Sequence, residues 1–386
     1  MIYLDNAATT PILSEVRDCF LSNVDSFANP SSMHSFGFEC RQSLETERAK
    51  IAKLLNTSPA EIIFTSGGTE SNNLAIRGQK SEVRNRKTTP FSPPSDLCFP
   101  TSDLCLLTSA AEHPSVLEPI KTLPHQFVNT LPNGTVDLDH LEILLKNNEV
   151  ALVSLMHVNN ETGAVNPINE IYNLIKSKSN ALLHVDNIQG YGKLENINAD
   201  LISFCSHKIG GFKGIGGLYI KSGTKINPIM FGGGQEKGLR SGTESLPHIA
   251  AFAMASQIAF ANSKSNMSKV IKLNNIMEHH LETIENTHFN SNENSSPYII
   301  NVRFDGVMGE TLLHTLEQHQ IYISTGSACS SHNSKPSAAL ASMGLSNAQI
   351  KESIRISFSP ENTPEEAQTA AEMIKSEVAN LRKIKK

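Results

Sequence analysis

The chain has no tryptophan among its 386 residues, only six tyrosines, and charged side chains at 18% of positions. Thirty-three Lys and Arg stand against 38 Asp and Glu, a formal net charge of -5, and no basic stripe or Arg-rich segment exists to neutralise a phosphate backbone. Nucleic acid is therefore excluded as a primary partner. Long hydrophobic runs are also missing. The most apolar stretch, Ile249 to Ala261, is broken by Ser256 and Gln257, and the start, Met1 to Ala7, has no cationic region ahead of an apolar one. Neither a membrane span nor an export signal is expected, which makes the cytoplasm the expected location. The six cysteines, at 19, 40, 98, 105, 205 and 329, form no Cys-x-x-Cys spacing and have no His pair placed to complete a zinc site. A reducing compartment fits that pattern, and staples are unnecessary, because a chain this long buries roughly three quarters of its unfolded surface.

What is present is an alternation of short apolar runs with amphipathic stretches, which predicts an α/β chain with a mostly parallel sheet. Strands are expected at 62–65, 104–107, 150–153, 181–185, 201–204 and 217–220, each ending in polar or Gly-rich residues. Such strand ends are where α/β proteins place their chemistry. Arg41 to Leu55 reads as an amphipathic helix stopped by Asn56-Thr57-Ser58-Pro59. Gln79 to Asp103 reads as an irregular surface insertion. Beyond Gly242 the pattern turns to long helices, with a strand at 298–304, so a second, smaller domain is expected to begin near residue 250.

Four local patterns carry chemistry. Ser206-His207-Lys208 follows a strand and precedes glycines at 210, 211, 214, 216 and 217, which holds a lysine in a crowded place. A partly desolvated amine suits Schiff-base formation with an aldehyde, although most lysines belong to solvated surface. Asp186 ends a strand and is followed three residues later by Gln189. A carboxylate there can keep the ring nitrogen of a pyridine cofactor protonated, or simply cap a helix that begins after the strand. Ser66-Gly67-Gly68-Thr69 leaves a strand and opens a helix, presenting N–H groups and a hydroxyl to an anion, or forming a plain capped turn. It is neither a Walker loop nor a G-x-G-x-x-G fingerprint, which counts against nucleotide readings. Cys329 lies in Thr325-Gly326-Ser327-Ala328-Cys329-Ser330-Ser331, where small neighbours leave the sulfur unshielded and favour a nucleophile over a structural thiol. No G-x-S-x-G elbow supports a serine hydrolase.

Together these patterns resemble the cysteine desulfurases. The matching segments are YLDNAATTP at 3–11, NPSSMHSFG at 29–37, FTSGGTESNNLAIRG at 64–78, EHPSVLEP at 112–119 and HVNNETG at 157–163. They continue with HVDNIQGYGK at 184–193, SHKIGGFKGIGGLYI at 206–220, GGGQEKGLRSGTES at 232–245 and STGSACSS at 324–331. The resemblance implies a fold-type-I transferase that depends on pyridoxal 5'-phosphate. It implies a large domain over 15–250 and a small α/β domain made of 1–14 and 251–386.

By the same resemblance Lys208 holds the cofactor covalently, His113 stacks on its ring and moves protons, and Asp186 and Gln189 hold the ring nitrogen and phenolic oxygen. The phosphate falls to Gly68, Thr69, Cys205, Ser206 and His207, and Thr243 reaches the cofactor of a neighbouring subunit, so a homodimer is implied. Asn160 and Arg355 grip the substrate carboxylate and cofactor edge. L-cysteine gives its sulfur to the Cys329 thiolate as a persulfide, alanine leaves, and an acceptor protein such as an iron–sulfur scaffold takes the sulfur. The segment around Cys329 is similar to the long-loop group serving iron–sulfur assembly, in which this cysteine can also contact iron. Selenocysteine lyase or another reaction of the same cofactor, and a non-enzymatic sulfur-relay adaptor, are the competing readings.

Several positions depart from the family pattern. Cys205 stands where a phosphate-binding Ser is usual, Asn187 replaces a small residue, Phe212 replaces a common Pro, and Ser359-Pro360-Glu361-Asn362 replaces a Gly-Arg ending. A thiol is the poorer donor, so the phosphate is expected to lean on Ser206 and Thr69.

Overall fold

A computed structural model describes residues 1–79, 105–325 and 336–384. In chain order the elements begin with β1 (Ile2–Tyr3), α1 (Ser14–Asn23), α2 (Ser35–Leu54), β2 (Ile62–Thr65), α3 (Gly68–Arg77), β3 (Cys105–Ser109), α4 (Pro114–Lys121) and β4 (His125–Val128). There follow α5 (Leu138–Asn147), β5 (Val150–Met156), α6 (Ile168–Lys178), β6 (Leu182–Asp186), β7 (Leu201–Cys205), β8 (Gly216–Ile220), α7 (Leu246–Ala261) and α8 (Ser263–Glu282). The chain closes through β9 (Thr287–Phe289), β10 (Ile299–Phe304), α9 (Gly309–Gln318), β11 (Ile321–Tyr322), β12 (Ser324–Thr325), α10 (Ala338–Ser342), α11 (Asn347–Lys351), β13 (Ser353–Ser357) and α12 (Pro364–Ile384).

Seven strands form the main sheet in the order β2-β8-β7-β6-β5-β3-β4. Only β8 is antiparallel to its neighbours, so the carboxyl ends of the other six share one edge. All five residues of β7 are buried, as befits a strand covered on both faces by helices. The expected strands are present with ends moved by up to three residues, and β4 is an addition: its burial is poor and its apolar run short, so periodicity gave no signal. The helix expected at 41–55 begins earlier, at Ser35, because His34 accepts a hydrogen bond from Gly37 N–H and caps it.

A second core is built on the sheet β12-β13-β10-β9 with α8, α9 and α12. Leu4 and Ala7 pack into it from the N-terminus. Residue 250, where the second domain is expected to begin, lies inside α7. Ile249, Phe252, Ala255 and Ala259 of that helix all belong to the core shared with α2 and the main sheet. The chain changes cores at Asn262, between α7 and α8, because α7 is apolar nearly all round and is packed between α1, α2 and the sheet. The insertion beyond Gln79 and Cys329 lie outside the described residues.

Candidate active site

The carboxyl edge of the main sheet faces the smaller core across a cavity of about 440 Å³. Five strands deliver their next residues to it. Gly68 and Thr69 follow β2, His113 follows β3, Asn160 follows β5, Gln189 follows β6 and Lys208 follows β7, while Asp186 and Cys205 are strand-terminal residues. Arg355 enters from β13 on the opposite wall. A larger crevice of about 570 Å³ touches Lys208 from behind, but none of His113, Asp186 or Arg355 lines it, so it lacks the convergent polar groups of a reaction site.

Several of these side chains are held by hydrogen bonds. Asp186 accepts from Asn72 Nδ2 at 2.8 Å and from Ile188 N–H at 3.0 Å, so both carboxylate oxygens are engaged. Behind it, buried His184 spans three strands through Ser154 at 2.8 Å and Ser203 at 2.9 Å. Burial pushes that imidazole down to about 3, so it is a neutral strut. Lys208 Nζ donates to the carbonyls of Ala7 and Ala8, the latter at 2.7 Å, and Gln189 Nε2 donates to Ala7 at 2.8 Å. The N-terminal strap thus forms part of the floor. Burial lowers the His113 pKa, with Asp186 opposing and Lys208 adding to the shift. Burial, followed by the charge of Lys208, takes His207 down to about 4.

The anion end is an open helix terminus. No side chain caps α3, whose first residue is Gly68, and a Cβ at Gly68 would lie 2.6 Å from Ile188 Cδ1. Only a glycine lets the backbone approach this close, and an uncapped helix start of this kind suits an anion. Cys205 also lines the cavity, and burial pushes its thiol up to about 11, leaving it a neutral, weak donor.

Arg355, only 3% exposed, ties the opposite wall together. Its Nη2 meets Asp5 Oδ1 at 2.7 Å, its Nη1 donates to Asn160 O at 2.8 Å, and its buried Nε has no partner. A planar fork with a spare donor suits a carboxylate.

Of the residues expected at the site, ten line this cavity: Gly68, Thr69, His113, Asn160, Asp186, Gln189, Cys205, His207, Lys208 and Arg355. Ser206 does not. Its side chain is fully buried, and its Oγ has no hydrogen-bond partner among the described residues. Thr243 is exposed and lies outside its own chain's cavity. Cys329, with the iron contact considered for it, is outside the described residues. Among the described residues no cluster of three or more His, Cys, Asp or Glu could hold a metal.

Four further contributors, Asp5, Asn72, Glu112 and Ser115, are not evident from the sequence. Asn72 had a signal, being a polar residue on the same face of α3 as buried Ala75 and Ile76. Glu112 is buried at 4% exposure, accepts from Ser109 and Met156 N–H, and is pushed by burial up to about 8.

Similarity to known proteins agrees with this geometry. The class-V aminotransferase model matches residues 2–92 and 97–369. Cysteine desulfurase IscS 1 of Archaeoglobus fulgidus is 35% identical over 99% of this chain and 98% of its own. Cysteine desulfurase IscS of Buchnera aphidicola is 37% identical over 99% and 94%. A crystal structure of a NifS-like protein from Rickettsia africae superposes with a TM-score of 0.86 at 32% identity, covering 98% of this chain and 99% of that one. The chain belongs to the class-V aminotransferase family and, within it, to the group of the cysteine desulfurases.

Enzymes of this family depend on pyridoxal 5'-phosphate, and the cavity fits that cofactor. It offers an amine for the aldehyde, a carboxylate for the ring nitrogen, an imidazole beside them, and an uncapped helix start for the phosphate. Gln189 Oε1 is buried without a partner, a polar atom left for a group that the protein itself does not supply.

Proposed function

We propose that the protein is a pyridoxal-phosphate-dependent cysteine desulfurase that takes the sulfur of L-cysteine onto Cys329 and hands it to an acceptor protein. The observation that carries this reading is the convergence of Lys208, Asp186, His113 and Arg355 on one cavity from two cores. Lys208 would hold the cofactor and carry the proton removed from the substrate's Cα. Asp186 and Gln189 would fix the ring, Gly68, Thr69, Cys205, Ser206 and His207 the phosphate, and Asn160 and Arg355 the substrate carboxylate. Bound there, the cofactor withdraws electrons from Cα and weakens the bonds beyond it. The cysteine C–S bond would break with its electron pair passing to Cβ, which takes up the proton lost by Cys329 and becomes the methyl group of alanine, while a bond forms between the sulfur and Cys329 Sγ.

Two anchors support the role of the Cys329 segment. The chain enters it from β12, whose Ser324 pairs with Arg355 in the sheet, and leaves it at Ser337, whose hydroxyl donates to Glu161 beside Asn160. Both ends are therefore tied to the wall that would hold the substrate.

A homodimer completes the reading. The Thr243 segment is fixed before any partner arrives. Arg48 meets Glu236 through two hydrogen bonds of 2.8 Å, and Arg240 meets Glu70 at 2.9 Å. Phe27, Met33 and Phe231 stand exposed at 82%, 101% and 77%, as surface awaiting a second copy would. The acceptor would be an iron–sulfur scaffold, with transient iron contact through Cys329. The cytoplasm suits the free thiols at Cys19, Cys40, Cys105 and Cys205, and among the described residues no helix is long and apolar enough to cross a membrane.

The test is to incubate the protein with L-cysteine and a thiol reductant and to measure sulfide and alanine together. Equal amounts are expected, and Cys329→Ala should yield neither. Survival of either product in the variant would sink the persulfide route and promote another reaction of the same cofactor.

A further inference from the structure

His113 and Asp186 are joined by a buried chain of hydrogen bonds that runs through two residues without a role so far. His113 Nδ1 lies 2.8 Å from Ser115 Oγ and also accepts from Ser115 N–H at 3.1 Å. Ser115 Oγ accepts from Asn72 Nδ2 at 2.8 Å, and the same nitrogen donates to Asp186 Oδ2 at 2.8 Å. Asn72 is fully buried and Ser115 is 8% exposed, so water does not compete.

The donors and acceptors in this chain can be assigned. A primary amide nitrogen has two hydrogens, and here each has an acceptor. Turning the amide over would set its carbonyl against the Asp186 carboxylate, losing that bond and bringing two acceptors together. Its Oδ1, buried without a partner, is the cost of keeping this orientation. Because Ser115 Oγ receives a hydrogen from Asn72, its own hydrogen is free to point at His113. Nδ1 then meets two donors, the hydroxyl and the backbone N–H, and a hydrogen on Nδ1 would face them both. The one ring proton of a neutral imidazole must sit on Nε2.

We propose that Asn72 and Ser115 are positioning residues that hold His113 as the Nε2-protonated tautomer and tie that choice to the Asp186 carboxylate. The inference rests on the proposed function in giving His113 a place beside the cofactor. The tautomer itself is a property of the folded chain. Its consequence is a division of labour: His113 presents a hydrogen at Nε2, and Lys208 supplies the lone pair that accepts one. The charged groups facing His113 are Asp186 from the end of β6 and Lys208 after β7, which act on it in opposite senses, while Glu112 precedes it in the chain.

The test is nitrogen NMR of the full-length, cofactor-loaded protein labelled at histidine, repeated after the cofactor is removed, with the His113 signals assigned by their loss in His113→Gln. Near neutral pH, a bare Nδ1 and a protonated Nε2 are expected in both samples. Asn72→Asp removes the donor to Ser115: the new carboxyl shares one proton with Asp186, since two carboxylates this close do not both ionise, and turns an acceptor to Ser115. The Ser115 hydroxyl can then turn to the new carboxylate and offer a lone pair to Nδ1, so the His113 midpoint should rise by about one unit. A proton found on Nδ1 in the unaltered protein overturns the proposal, whether or not the variant folds. So does an unchanged midpoint in a folded variant. Failure of the protein to release sulfide would overturn the proposed function and leave this readout intact.

Discussion

The two walls of the cavity are made differently. On the main-sheet side, functional groups sit at the ends of adjacent strands, and Asp186 and His113 have partners from their own domain: Asp186 has Asn72 and Ile188, and His113 has Ser115. On the small-core side, Arg355 depends on residues remote in sequence, Asp5 and Asn160. The first wall is rigid because neighbouring strands fix one another. The second is assembled from the N-terminal strap, the β5 loop and β13. Arg355 Nη1 donating to Asn160 O, and the Ala7 carbonyl accepting from Gln189 Nε2, tie it to the first wall. That arrangement suits a fixed cofactor and an exchanging substrate.

The largest effect that would sharpen this comparison is expected from Arg355→Lys. A point charge cannot reproduce the planar fork, so KM for L-cysteine should rise by roughly ten- to a hundredfold. Cofactor affinity should stay within about twofold, since a contact made only with substrate is worth nothing to the cofactor. A parallel loss of cofactor, followed by its absorbance during dialysis, would show that the walls do not divide the work. A smaller and opposite effect is expected from Cys205→Ser on the first wall. The hydroxyl is the stronger donor, and cofactor dissociation measured by the same absorbance should tighten by roughly three- to tenfold, with KM for L-cysteine unchanged.

The smallest effect concerns the pH dependence of stability. Glu112 lies buried beside His113 and its folded pKa is raised to about 8, above the ordinary carboxyl value near 4.5. The unfolded chain therefore releases this proton first. Its destabilising contribution is absent below pH 4.5 and grows as pH rises toward 8. Denaturant midpoints of the native chain and Glu112→Gln, compared at about pH 5 and about pH 8, should shift in the variant's favour at the higher pH. A constant difference would mean that Glu112 is ionised throughout and that the first wall carries a buried charge.

Legibility in the sequence followed the same division. Lys208, Asp186, His113 and the Gly68-Thr69 turn could be found because each sits in a short segment whose local pattern, a strand followed by small or polar residues, is itself the signal. Asn72 and Ser115 lie inside family-like segments without standing out, since a polar residue on a buried helix face is informative only once its partner is known. Asp5 gave no sign at all, because its meaning depends on Arg355, which is 350 positions away.

The alternation of strands and helices, the segments that hold the chemistry and the family to which they belong were all settled by the order of residues, because these depend on periodicity and on residue types at short range. Folding in three dimensions was needed to place the change of cores after α7, to bring the N-terminal strap to the floor of the site, and to link His113 to Asp186 through one amide. Those features rest on which buried donors and acceptors meet, and pairings between distant residues are set by packing.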